Sequence, residues 1–206
     1  ISNGHVDIDG VTGSLNSGHG IKIDSSGEQS GTATIQIFSG QSYVNLSHLE
    51  LQGSGSMREV DNLQSAIYLV SSTDVTDISY KYIYLHDYSV DGLSFVNASA
   101  RVLVEYNYFE KIGALTGHPH GQPIQLGAGG ANDITVRYNT AVDASGSGFI
   151  AITGNPSDTY SNIRVYGNVI KTTDRDLYIY SPGFFSSMGN IISSNNYSYN
   201  NTFYNV

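Results

Sequence analysis

The sequence has no cysteine in its 206 residues. That excludes disulfides, thiolate nucleophiles and cysteine metal ligands, and leaves the redox compartment unmarked. Charge is also scarce. Only 13% of the residues are Asp, Glu, Lys or Arg, and nine basic against eighteen acidic residues give a net charge of −9. Such a chain repels a phosphate backbone, so nucleic acid is not an expected partner. The balance is compatible with neutral sugars, with Ca²⁺ or with simple solubility. No apolar run approaches the ~20 residues needed to span a bilayer, and no stretch carries a helical apolar period. The sequence opens at Ile1 without an initiator Met or a signal peptide. The expectation is a processed or excised piece of a secreted, extracellular protein.

What is present is β-forming. Gly (23) and Tyr (16) are abundant, Ser and Asn are frequent, and the aromatic and β-branched content is too high for a disordered chain. The length suits one domain with a core of its own, residues 1–206.

One stretch recurs along the chain. Asp133–Ala141 reads Asp-Ile-Thr-Val-Arg-Tyr-Asn-Thr-Ala, and Val102–Phe109 and Ile163–Ile170 share its register. Ile191–Tyr197 repeats it more loosely. Apolar residues two apart mark a strand. Asn five positions after the first marks a corner, because Asn tolerates the left-handed conformation and bonds to nearby backbone. Aligned on the first apolar residue, the copies start at Val6, Val44, Ile78, Val102, Ile134, Ile163 and Ile191. Variable spacing in the twenties and thirties is the mark of a solenoid. Between the copies lies a second apolar-x-apolar set: Ile21–Ile23, Ile67–Leu69, Leu93–Phe95, Ile124–Leu126, Ile150–Ile152 and Leu177–Ile179.

Each coil therefore holds two or three strands joined by short corners. Strands that return after a full coil pair in parallel. With no helix to make a crossover, the faces must stack into several parallel sheets. The expected fold is a single all-β parallel β-helix of about seven coils, right-handed by the general chirality of parallel crossovers. The column Asn107, Asn139, Asn168 and Asn196 resembles the asparagine ladder of right-handed β-helix proteins, the pectate-lyase-like repeats of polysaccharide lyases, hydrolases, mannuronan epimerases and phage tailspikes. In the first coils Leu49 and Ile83 take the ladder position, so the corner there is expected to be packed apolar or to be shaped differently.

Candidate chemistry falls into four groups. Gly117–Gln125 reads Gly-His-Pro-His-Gly-Gln-Pro-Ile-Gln and is similar to an H-x-D-x-I-Q pattern of some β-helix carbohydrate enzymes. His120, Ile124 and Gln125 match, but Gln122 stands where the pattern has Asp, and an amide cannot act as general base. His118 and His120 lack an evident third metal ligand. A second group, Lys81, Glu105 and Arg137, should stack on adjacent rungs. Two cations beside an acid are what a polysaccharide lyase needs to neutralise a uronate and take its α-proton; they also make an alternating ion-pair ladder. Acidic clusters at Asp74, Asp77, Asp87, Asp91, Asp174 and Asp176 offer oxygen ligands for Ca²⁺ without the spacing of a known loop. Finally, Tyr82, Tyr106 and Tyr138, with Tyr84 and Tyr108 beside them, form rows that either stack against sugars or pack against each other.

Four sequons, at Asn45, Asn97, Asn196 and Asn200, are glycosylation candidates in a secreted chain. Neither end of the sequence carries an amphipathic helix to cover the edge of a solenoid. The first functional expectation is a structural protein without catalytic activity, whose coils stack head to tail on further copies into a filament or surface layer. The alternatives are a polysaccharide lyase or epimerase using some of Lys81, Glu105, Arg137, His118 and His120, or a glycan-binding tailspike or adhesin fragment.

Overall fold

A computed structural model describes residues 5–12, 18–27, 33–38, 40–53, 65–70, 75–96, 99–113, 121–144, 148–173, 185–188 and 192–204. Among them there is no helix. The strands form three sheets whose members stack in chain order, every pair parallel. The chain is a parallel β-helix. The first sheet runs from Val6–Asp9 through Ser42–Ser47, Val75–Lys81, Ser99–Glu105 and Ala131–Arg137. Below that it divides into Thr159–Ser161 with Arg164–Tyr166, and then Ile192–Ser194 with Tyr197–Tyr199. The second sheet begins at Ile21–Asp24 and ends at Thr202–Tyr204. The third begins at Ala33–Phe38 and ends at Phe185–Met188.

Period-two alternation sends one set of side chains into the coil, where successive rungs stack like on like. Val6, Val44, Ile78, Val102 and Ile134 are cross-strand partners, as the alignment expects. The last copy is different. Ser161 pairs with Ser194 and Arg164 with Tyr197, which places Asn196, and not Ile191, opposite Ile163. The loose match at Ile191 was five residues out of phase, because the inward residues of this coil, Ser193, Asn196 and Ser198, are polar and give no apolar signal. The second apolar set also needs one correction. Ile21–Ile23 lies on the second sheet, paired with Leu49–Leu51, and the third sheet starts instead with Ile35 and Ile37. All three faces use the same apolar-x-apolar pattern, so the pattern alone does not say which face a segment joins. Leu177–Ile179 lies outside the described residues; the strand that pairs with Ile150–Thr153 is Phe185–Met188.

The corner between the first and second sheets is the most regular part. Its first residue is left-handed in coil after coil: His48 (φ 54°), Tyr82 (54°), Tyr106 (58°), Tyr138 (56°), Gly167 (67°) and Asn200 (53°). The next residue turns inward, and there the column reads Leu49, Ile83, Asn107, Asn139 and Asn168. The left-handed turn thus falls one residue before the asparagine. The asparagine's task is hydrogen bonding, not backbone conformation.

Candidate functional site

The asparagine ladder is buried and fully bonded. Asn107, Asn139 and Asn168 are 2%, 1% and 0% exposed. Asn139 Oδ1 accepts from the backbone N–H and the Nδ2 of Asn107, both at 2.9 Å. Asn168 Oδ1 does the same for Asn139, at 2.9 and 3.0 Å. Each Nδ2 also donates to a carbonyl on the rung above, and Asn139 and Asn168 to one two residues back, as from Asn139 to Val104 and Arg137, both at 3.0 Å. A corner interrupts the sheet bonding and leaves backbone groups that burial would otherwise orphan; the amides satisfy them. At the upper end Ile83 donates its N–H to Asn107 Oδ1 at 3.0 Å, and Leu49 and Ile83 pack apolar as expected. At the lower end Asn201, not Asn196, continues the ladder, accepting from Asn168 N–H at 3.0 Å. Asn196 sits one column over and accepts from Ile163 N–H at 2.9 Å.

Lys81, Glu105 and Arg137 are cross-strand partners at the last position of the first sheet. Lys81 Nζ lies 3.0 Å from Glu105 Oε1, and Arg137 reaches Oε2 at 2.6 Å. Glu105 is only 5% exposed. Burial pushes its carboxyl up, but the hydrogen bonds from Arg137 and Lys81 outweigh that and hold it below its ordinary range. Arg137 also donates to Tyr166 Oη at 3.1 Å. A general base must meet a substrate proton; both oxygens of this carboxylate are already engaged.

The aromatic residues make a ridge beside it. His48 stacks on Tyr82 at 4.9 Å, Tyr82 on Tyr106 at 5.2 Å and Tyr106 on Tyr138 at 5.2 Å. Tyr138 then covers Gly167, where a Cβ would lie 2.6 Å from the ring. Non-glycine residues are uncommon at positive φ, and stacking worth about 0.5–1.5 kcal/mol per pair helps to hold the tyrosines there. Tyr106 and Tyr138 are 45% and 44% exposed, but Tyr106 is stacked between Tyr82 and Tyr138, and Tyr138 lies between Tyr106 and Gly167. Their faces, which a sugar would need, are taken by each other. Tyr84 and Tyr108 meet edge-on at 5.6 Å.

His118 and His120 lie outside the described residues, as do Asn97, Asp74, Asp174 and Asp176. Gln122, at the Asp position of the H-x-D-x-I-Q pattern, is fully buried. Its Oε1 accepts from Gly121 N–H at 3.2 Å, so the position faces into the coil. Gln125 faces outward and donates to Thr153 Oγ1 at 3.1 Å. Asp77 is bound bidentately by Arg101 at 2.7 and 2.8 Å, and Asp87 contacts His86 at 2.7 Å. No group of three or more metal-ligating side chains is assembled among the described residues.

Two features remain: Asp91, named above only as one acid of a cluster, and a groove that carried no sequence signal. Asp91 is 2% exposed and accepts only from Gly121 and Gln122 N–H, at 3.3 and 3.2 Å. Burial pushes its carboxyl up to about 7, against those two bonds. An open groove of about 460 Å³ crosses the outer face of the first sheet, lined by Thr76, Arg101, Asn132, Asp158 and Ser161 among others. Its floor is small residues, and its rim is built by the Gly129–Ala131 and Ser157–Thr159 turns, tied where Asp158 accepts from Gly129 N–H at 2.9 Å.

A buried amide ladder, a closed ion triplet and a stacked aromatic ridge define a parallel β-helix whose specialised side chains are joined mainly to one another. No family model, curated protein or solved structure matches the chain.

Proposed function

We propose that this chain is a structural, non-catalytic extracellular β-helix that joins end to end with copies of itself into a filament or surface layer. The observation that carries the reading is the closure of Glu105 between Lys81 and Arg137: a buried acid flanked by two cations is spent on cohesion between rungs. Assembly is supported by the constant columns, which let a coil of one copy continue the register of another. An apolar groove of about 300 Å³ opens beside the first coil, lined by Val6, Ile8, Ile35, Ile37 and Leu46. A head-to-tail joint would set Val6 on Asn196 and Ile8 on Ser198, following the columns. Such a joint draws on backbone bonds between strand edges more than on apolar contact, and it propagates because it closes on nothing.

Negative-stain microscopy and sedimentation of the purified chain test this. Growing filaments are expected, and a Pro at Ile192 or removal of residues 1–11 should stop growth while the middle coils stay folded. A chain that stays monomeric at high concentration defeats the reading.

The second reading, a polysaccharide lyase, epimerase or glycan-binding tailspike or adhesin of the pectate-lyase-like kind, is favoured by the asparagine ladder and by the polar groove at Arg101, Asn132 and Asp158. Uronate cleavage that disappears in a folded Lys81→Met variant would establish it in place of the first.

A further inference from the structure

The chain carries four sequons, and the coil geometry treats them differently. Asn196 is turned inward. Its Oδ1 accepts from Ile163 N–H at 2.9 Å, and its Nδ2 donates to Tyr160 O at 3.1 Å and to Ser193 Oγ at 2.6 Å. The hydroxyl of its sequon is spent as well, since Ser198 Oγ accepts from Asn201 Nδ2 at 3.0 Å. A sugar on Asn196 would have to be drawn into the coil or would pull the side chain out of those bonds. Asn45 lies in the middle of the strand Ser42–Ser47, paired on both sides through Asp7 and Ser79. Its Nδ2 sits 3.4 Å from His5 Nε2. Asn97 lies outside the described residues.

Asn200 is the exception. It occupies the left-handed corner (φ 53°) and is exposed, as is Thr202, the residue that carries the sequon hydroxyl. The residue between them, Asn201, points inward into the ladder and leaves the outer surface of the turn clear. The corner residue of the coil above is Gly167, which contributes no side chain against the amide. A turn with a free amide and a free hydroxyl two residues on is the shape an acceptor needs, whereas a strand paired on both edges is not.

We propose that Asn200 is an N-glycan acceptor, an inference that rests on the extracellular part of the functional reading. The donor class is an oligosaccharide carried on a lipid pyrophosphate by a secretory-pathway transferase. Asn200 Nδ2 attacks C1 of the first sugar, an N–C bond forms, the C1–O bond to the pyrophosphate breaks, and the amide gives up one proton. The glycan then projects sideways from the corner ridge.

The test uses the whole chain behind a cleavable secretion leader in eukaryotic cells, and in parallel translated into microsomes. Amidase release in heavy-oxygen water converts each occupied Asn to labelled Asp, which peptide mass spectrometry locates. Label is expected at 200 and not at 196, and Thr202→Ala should reduce it to background without changing the circular dichroism. A folded, secreted chain without label at 200, or with label at 196, overturns the proposal. Label at 200 in microsomes with no folded chain secreted would uphold the acceptor and remove the extracellular reading beneath it.

Discussion

Replacing Asn139 by Leu removes one rung of the ladder without removing bulk. Leu49 and Ile83 already occupy the column, so an apolar side chain fits the corner and the change isolates hydrogen bonding. Five bonds disappear: two accepted from Asn107, at 2.9 Å each, and three donated to Val104 O, Arg137 O and Asn168 Oδ1, at 3.0 Å each. The Asn107 N–H and the Val104 carbonyl lose partners inside the coil. Each such orphan costs about 1–3 kcal/mol, and the buried Leu returns about 1–2 kcal/mol. Taking the middle of both ranges, the expected net loss is about 2.5 kcal/mol. Urea unfolding followed by circular dichroism measures it, as a lower midpoint at unchanged slope. A loss below about 0.5 kcal/mol, smaller than one net hydrogen bond, would refute the claim that the ladder satisfies buried backbone.

Lys81→Met should cost under about 1 kcal/mol in the same assay, since Arg137 still holds Glu105. Adding Arg137→Met strands a buried carboxylate, and the pair should lose about 3–5 kcal/mol; equal losses for the single and double variants would contradict the triplet. Tyr80 is fully buried and its hydroxyl has no partner among the described residues, so Tyr80→Phe should raise stability by about 1 kcal/mol, and a clear loss would mean the hydroxyl has a partner. Asp91 is raised from an ordinary 3.8 to about 7 by burial. Between those values the unfolded chain has released this proton and the folded chain still binds it, so its contribution falls as pH rises from about 4 to 7. Asp91→Asn should therefore flatten that decline and stabilise the protein at pH 8; an unchanged pH profile would show that Asp91 is ionised when folded.

The periodic parts of the fold were legible. Val6, Val44, Ile78, Val102 and Ile134 announce their column by spacing alone, and Asn107, Asn139 and Asn168 mark the corner. Lys81, Glu105 and Arg137 fall on neighbouring rungs because a strand keeps its phase over a few residues. Legibility failed where the inward residues became polar. Ser193 and Ser198 give no apolar signal and Asn196 was taken as a ladder residue, so the last coil was placed five residues early and Asn201 was overlooked. The divided strand at Asn162 and Asn195, both left-handed, adds a turn that no alternation reveals. Asp91 looked like one acid in an acidic stretch, and only the phase of Leu93, two residues later on the inner face, turns it inward. The groove at Arg101 and Asp158 joins segments far apart in sequence whose meeting depends on coil length.

The ionic ladders also work as an ordering code. Along one column of the first sheet the charges run Lys81, Glu105, Arg137, and along another Asp77, Arg101, Asp133, with Arg101 bound to Asp77. If a folding chain skipped the coil that carries Arg101 and Glu105, Lys81 would meet Arg137 and Asp77 would meet Asp133. Apolar columns, by contrast, would tolerate that slip, because Ile78 could stack on Ile134 as well as it does on Val102. Like charge on neighbouring parallel strands is penalised, and here one omission incurs the penalty in two columns of opposite sign. The coils look interchangeable to the hydrophobic core and are distinguished by their surface charges, so this solenoid should not tolerate deletion or permutation of its middle coils as a consensus repeat array would.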